Sequence, residues 1–554
     1  MSPTITDDLH SSLSTMMVGS LRTNEDIPAA INDHRHGADC GLPIVNGRHS
    51  SPTSESVVTD KKIVRKIGEA QGKVILGRSK EKLQSDRQIK AGCYFNKMCD
   101  DVFIEVTVNG RVQDIERIES FDSLHLSQSL MKNIEKRNYC RPSAIQMVAI
   151  PWILQGHDIV AYSETGSGKT AAFLIPIVNE IIMMKAKRKR SIMNESMPYC
   201  IIIAVTTDLT LQLFKEAVEF TSGTDCKVVP AYGGTQRGDN IQLLRKGCDI
   251  LITTIGRLFD FAENNIVKFD ELRVVVIDEV DQFCSHISAV LELQTKVFSR
   301  FPNVIVRRLL FTATKTDDVE RFAEENLRGD RVNIVVGSVN SVNRCIKQDF
   351  IKVEDRERAT KLVVLLREIY PEECYQSRDG EGEGASTRKA KPKTLIFVNT
   401  KRRCDMLAVY LCMKGFRATP THGNRSTKLR EAALNDFTSG DCNILICTNV
   451  LSRGINISRL DYVIVYEIPF IGDWESYIHR VGRTGRVGNE GVALIFYSSE
   501  TDSEMAPVLV ELALKNNTLI PKFIKDDYNQ RMMTMEQMMR IRRAVEDEYT
   551  VWPL

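Results

Sequence analysis

The chain has 554 residues, 43% of them hydrophobic, which is length for roughly three or four domains with sizeable cores. Its 74 basic and 72 acidic side chains leave a formal net charge of +2. This excludes a diffuse basic field as the way nucleic acid would be found, so any such site must be local. The 14 cysteines contain no CxxC pair, and several sit in apolar runs, as at Cys200 and Cys447. That usage points to reduced thiols in an intracellular protein rather than a disulfide framework. The polar, acidic start MSPTITDDLH does not read as a signal peptide, and no apolar run approaches the ~18 residues of a membrane span. The composition leaves nucleus and cytoplasm both open.

In chain order, residues 1–115 read as an N-terminal extension, largely disordered, with little apolar periodicity in their first half. Residues 116–340 then alternate short apolar runs with amphipathic stretches. DIVAY (158–162), YCIIIAV (199–205), LRVVVID (272–278) and IVRRLLFT (305–312) look like parallel strands buried on both faces. LTLQLFKEAVEF (209–220) has helical spacing between them. A second set, TLIFVN (394–399), NILICT (443–448), YVIVYE (462–467) and GVALIFY (491–497), marks another unit over 344–500. The expected fold is therefore α/β: two tandem doubly wound parallel-sheet domains joined near 338–345. The low-complexity segment 376–393 is expected as a mobile loop, and 501–554 as a Met-rich helical tail.

Three constellations carry chemistry. SETGSGKT, Ser163 to Thr170, follows an apolar strand and precedes the helix-like AAFLIPIVNEII. In that context its backbone N–H groups face phosphates, with Ser163, Glu164, Thr165, Gly166, Ser167 and Gly168 forming the loop. Lys169 reaches the β and γ groups and Thr170 sits on Mg²⁺. A plain Gly/Ser turn is the competing reading. Asp278 ends a second apolar strand, where a metal-bound aspartate belongs, and Glu279 next to it is placed to polarise an attacking water. An acidic strand end facing solvent is the alternative there. YIHRVGRTGR (477–486) puts arginines at 480, 483 and 486 on the other domain, so a nucleotide gripped by one domain is completed by the second. Alone, that run is equally a solvated basic turn.

With these residues in this order, the chain resembles the DEAD-box RNA helicases over about 118–500. The resemblance implies two RecA-like domains, ATP and Mg²⁺ as cofactors, and RNA held by sequence-independent contacts. It makes NYCRPSAIQ (138–146) the adenine motif, with Gln146 on the base edge and Phe121 as the upstream aromatic. Lys169, Glu279 and the arginine fingers Arg483 and Arg486 become catalytic, and Thr170 and Asp278 metal-binding. Asp281, Thr312, Thr314, His479 and Arg480 couple the halves. Thr206, Gly233, Gly234, Gly256, Arg257, Arg430 and Thr448 touch RNA, and Asn456 touches the ribose. The similarity extends to the subgroup with an N-terminal HIT-type zinc finger, whose paired cysteines are missing here. The chain departs from the family at Thr207 (arginine in the family), Ile255 (proline), Thr427 (glutamine), and Asn449 and Asn456 (aspartates).

Smaller features have plainer readings. KAKRKR (185–190) is a solvated loop or a nuclear import signal, and His34, His36, Cys40 and His49 match no familiar zinc spacing. MMTMEQMMRIRR (532–543) packs on the second domain or takes a partner on its Met face. The expected function is an ATP-dependent RNA helicase that locally unwinds RNA or remodels its complexes. The alternative is a nucleotide-gated RNA clamp or scaffold with weak unwinding. A DNA motor is disfavoured by the Gln146 motif.

Overall fold

The computed structural model describes residues 102–114, 117–187, 197–300, 305–371, 392–449, 460–485, 490–516 and 518–549. The His34 cluster, residues 188–190 of the basic run, loop 376–391, Asn456 and Arg486 lie outside them.

The first lobe is built on nine strands: β1 (Ile104–Val108), β2 (Arg111–Val112), β3 (Ile159–Ser163), β4 (Cys200–Ala204), β5 (Val228–Ala231), β6 (Ile250–Thr254), β7 (Val274–Asp278), β8 (Arg307–Thr312) and β9 (Val332–Val336). Their order in the sheet is β2-β1-β9-β3-β8-β7-β4-β6-β5. From β9 to β5 all pairs are parallel. Within β3, Ile159 and Ala161 face one core while Val160 and Tyr162 face the other. Covering both faces is what turns these strands into continuous apolar runs in sequence.

The folded part starts earlier than expected. β1 pairs antiparallel with β9, Val106 opposite Ile334, inside the segment read as disordered. Val106 is fully buried, so this edge strand belongs to the first core. Its five residues are too few for composition to reveal.

The second lobe carries β10 (Ile346–Lys352), β11 (Thr394–Phe397), β12 (Ala418–Thr421), β13 (Ile444–Cys447), β14 (Tyr462–Val465) and β15 (Gly491–Tyr497), ordered β10-β15-β14-β11-β13-β12. All its pairs are parallel. Leu395 and Phe397 face one core, Ile396 and Val398 the other.

The boundary expected at residue 500 cuts through this lobe. Helix Ala506–Asn516 and the start of helix Lys522–Tyr549 bury Leu509, Leu512 and Ile524 in the same core as β11. The Tyr497 hydroxyl donates to Asp527 at 2.7 Å. Ile524 is fully buried, so Ile524→Ala is expected to cost about 2–5 kcal/mol, read as a lower denaturant midpoint for the second lobe. An unchanged midpoint would mean that the C-terminal helix is not part of this core. Among the described residues no helix is long and apolar enough to cross a membrane.

Candidate functional site

Three neighbouring strands deliver the first lobe's chemistry at their carboxyl ends. In the parallel register Tyr162 of β3 lies beside Thr312 of β8, and Phe311 of β8 beside Asp278 of β7. The loop after β3, the Thr312–Thr314 turn and the Asp278–Asp281 turn therefore converge at one edge, where ligands bind in open α/β sheets.

The loop from Ser163 to Gly168 turns on glycines with positive φ, Gly166 at 81° and Gly168 at 98°. A Cβ at Gly168 would fall 2.5 Å from Gln146 Nε2, so the loop needs glycine there. Gln146 holds this contact from the adenine-motif side. Its Nε2 donates to the Gly168 carbonyl (3.0 Å) and its Oε1 accepts from the Ser143 N–H (3.0 Å). The hydroxyls of Ser163 and Ser167 are 2.8 Å apart. Lys169 opens helix Lys169–Lys187, with Thr170 next, and its Nζ donates to the carbonyls of Ser163 (2.6 Å) and Glu164 (3.2 Å). Burial pulls the Lys169 ammonium below its ordinary pKa, against the attraction of Asp278, Glu279 and Asp281. Burial pushes the Glu164 carboxyl up to about 7, opposed by Lys169 and Arg344.

Asp278 accepts from the Glu279 N–H at 3.0 Å, and burial with the Glu279 charge raises it to about 7. Glu279 has φ 56° and ψ 48°, a left-handed conformation, and is 9% exposed. Asp281 joins the lobes: its Oδ2 accepts from Thr314 Oγ1 at 2.7 Å and lies 2.9 Å from His479 Nε2. Thr312 Oγ1 in turn accepts from the Thr314 N–H at 3.1 Å. Arg483, 2% exposed, donates from Nε to the His479 carbonyl at 3.0 Å, and its charge helps to depress Lys169. The second lobe's arginine turn lies against the phosphate loop at Gly482 and Thr165. Gly482 makes the approach possible, because a Cβ there would meet Thr165 Oγ1 and the Ile478 carbonyl, each at 3.0 Å.

Phe121 is 3% exposed and packs in the first lobe's apolar core, so stacking on a base would require that ring to be uncovered. The residues expected on RNA lie along the same edge of both sheets. Thr206 caps helix Thr207–Phe220, its Oγ1 accepting from the Leu209 N–H at 3.2 Å. Gly234 approaches Thr427 of the second lobe. Gly256 lies in the first turn of helix Ile255–Glu263, where free N–H groups favour anions. Arg257 donates to the carbonyls of Tyr232 (3.1 Å) and Thr235 (3.0 Å), holding the Gly233–Gly234 loop. Thr448 follows β13 and is 6% exposed. Arg430 forms an ion pair with Asp208 of the first lobe at 3.3 Å. The sequence reading had not marked Asp208, because an acid in a first helical turn has an ordinary local explanation.

Residues 143–322 match the family profile described as DEAD/DEAH box helicase, and 382–488 match the helicase conserved C-terminal domain. The chain is 34% identical over 446 residues to a probable ATP-dependent RNA helicase, vasa-like, of Penaeus vannamei, covering 80% of this chain and 60% of that protein. To the Homo sapiens probable ATP-dependent RNA helicase DDX4 it is 32% identical over 443 residues, covering 79% and 57%. The chain thus spans less than two thirds of the length of these curated relatives. Among solved structures, Mss116p bound to ssRNA and AMP-PNP aligns with TM-score 0.62 and 25% identity, covering 74% of this chain and 79% of that one. S. cerevisiae Dbp5 bound to RNA and ADP BeF3 aligns with TM-score 0.60 over 76% of this chain and 99% of that one; at 23% identity it speaks for the fold alone. Two RecA-like lobes, a phosphate loop tied to the Asp278–Asp281 turn and an arginine turn that closes on both make the chain a member of the DEAD-box helicase family.

Proposed function

We propose that the chain is an ATP-dependent RNA helicase that couples ATP hydrolysis to RNA binding and local strand separation. The observation that supports this is the meeting of the two lobes at one edge: the buried Asp281–Thr314–His479 latch, and Gly482 set against Thr165 of the loop that carries Lys169, next to Asp278 and Glu279. Lys169 would exchange its two carbonyl partners for phosphate oxygens. Glu279 would take a proton from the attacking water, and Arg483 with Arg486 would meet the charge growing on the transferring group. Gln146 keeps one amide N–H for a base edge beyond the bond it already donates. Asn456 is assigned to the ribose. RNA would lie across both lobes on the helix N-termini at Thr206 and Gly256 and on Gly233, Gly234, Arg430 and Thr448, read by backbone and therefore in any sequence.

Mg²⁺ fits the oxygen donors Thr170 and Asp278. Among the described residues no group of three or more His, Cys, Asp or Glu side chains forms a metal cage, so the cation would be shared with the nucleotide's phosphates. When bound it supplies positive charge to the phosphates. Asp278 must be ionised to hold it. With the carboxyl raised to about 7, apparent Mg²⁺ affinity is expected to climb about tenfold per pH unit below neutrality and to level off above it. Asp278→Asn should lack that slope. In a metal-free titration the sign reverses. The folded pKa lies above the unfolded one, so the stability contribution of Asp278 is complete in acid and is lost as pH rises toward 7. Thermal melting against pH, without metal, checks this.

Two observations favour a second reading, an RNA clamp with weak unwinding. Arg257 spends its donors on its own loop, and Thr207 brings no guanidinium where the family has one. Phosphate release with and without single-stranded RNA, run beside displacement of a short duplex, separates the readings. Stimulation with displacement supports the helicase, and stimulation without it supports the clamp. Stimulation by DNA and not RNA would overturn both.

A further inference from the structure

Arg480 is among the largest fully buried side chains, 1% exposed. It donates from Nε and Nη2 to Asn449 Oδ1 (2.8 and 2.6 Å), from Nη2 to Asn399 Oδ1 (2.8 Å) and from Nη1 to the Glu467 carbonyl (2.6 Å). These acceptors follow β13, β11 and β14, adjacent strands of one sheet, with Phe397 in register with both Cys447 and Val465. No carboxylate is among them. A buried cation held only by neutral dipoles is costly unless a charge stands close by.

Asp473 supplies one at a single remove. Its Oδ2 accepts from Asn449 Nδ2 at 2.6 Å and its Oδ1 from Ser476 Oγ at 2.6 Å. Asn449 therefore turns its oxygen to the guanidinium and its amide to the carboxylate. The Glu467 carboxylate also acts on Arg480 through space, but it is shared with Arg403 Nε (3.0 Å) and the Asn399 N–H (2.7 Å) and has no hydrogen-bonded link to the guanidinium through Asn449. Burial lowers Arg480 to about 10, and Asp473 is one of the groups that oppose the fall. At position 449 the family's usual aspartate would touch Arg480 directly; here the negative charge is displaced by one hydrogen bond.

We propose that Asp473 is the counter-charge of Arg480, acting through Asn449, and that it positions the helix Glu475–Val481 from which His479 reaches Asp281 and after which Gly482 abuts Thr165 of the phosphate loop. It is a positioning residue and touches no substrate. Its link to turnover rests on the helicase reading above; its link to the buried arginine does not.

The test is a charge-relocation cycle on the full chain: Asp473→Asn, Asn449→Asp and the double variant, each read by thermal melting and by RNA-stimulated ATP turnover. Asp473→Asn is expected to melt roughly 5 °C lower and to turn over about tenfold more slowly. Asn449→Asp sets two carboxylates against each other, so it should be impaired at alkaline pH and recover in mild acid as one takes up a proton. The double variant returns a single charge to direct contact with Arg480 and should regain at least half of both losses. Parental melting by Asp473→Asn, or a double variant no better than Asp473→Asn, overturns the assignment. A parent chain without turnover would sink the helicase reading alone, since the melting arm still decides the counter-charge.

Discussion

A Glu279→Gln chain is expected to bind ATP as tightly as the parent and to hydrolyse it roughly 10²–10⁴-fold more slowly. The geometry gives the reason. Glu279 follows a fully buried strand, sits next to Asp278, and holds a left-handed backbone that costs a residue with a β-carbon about 1–3 kcal/mol. β7 and the short helix Val280–Cys284 fix that conformation from both sides. Glutamine keeps the shape and the hydrogen-bonding reach, and loses only the ability to accept a proton from water. Equilibrium binding of a fluorescent ATP analogue, with steady-state phosphate release, reads both halves. Undiminished hydrolysis removes Glu279 from the chemistry, and affinity that falls in step with rate reassigns it to binding.

The second large effect is expected at the latch. His479 and Asp281 are 1% and 3% exposed at their side chains, 2.9 Å apart, and belong to different lobes. His479→Ala leaves the Asp281 carboxylate buried with Thr314, a loss of about 3–5 kcal/mol for a broken buried pair. Only the closed arrangement bears it, because parted lobes return Asp281 to water. The variant should therefore keep its affinity for each ligand alone while losing their mutual reinforcement, about 10²-fold or more in RNA affinity with a non-hydrolysable ATP analogue present. Fluorescence anisotropy of a short single-stranded RNA, with and without the analogue, measures this. If the reinforcement survives intact, closure does not depend on this contact.

Strands buried on both faces show in the sequence as unbroken apolar runs, so β3, β4, β7, β8 and the second lobe's inner strands were legible, and with them the edge where the site lies. Lys169 and Asp278 were singled out because each sits where such a run ends, and Asp281, Thr314 and His479 because the resemblance marks them; the structure brings the last three into contact. Partners across the lobes were not legible. His479 and Asp281 are 198 positions apart, and no local period carries that pairing. Asp208 and Asp473 were missed for a related reason: an acid beside a helix start is already accounted for locally, which hides its remote role. Asn449 stood out as a departure, yet the charge that answers it can be seen only in three dimensions. Phe121, taken from the resemblance as the upstream aromatic, is enclosed in the first lobe's core, which no local sequence pattern announces.

In the role proposed for Lys169, its bonds to the carbonyls of Ser163 and Glu164 would make nucleotide capture an exchange reaction rather than a simple addition. The incoming anion must evict two internal acceptors before it gains the ammonium, so the measured affinity reports only the surplus of the new bonds over the old. A ligand with too little negative charge at that position, such as one shortened by a phosphate, would recover less of what the loop gives up, so the two carbonyls would set spent nucleotide apart from fresh.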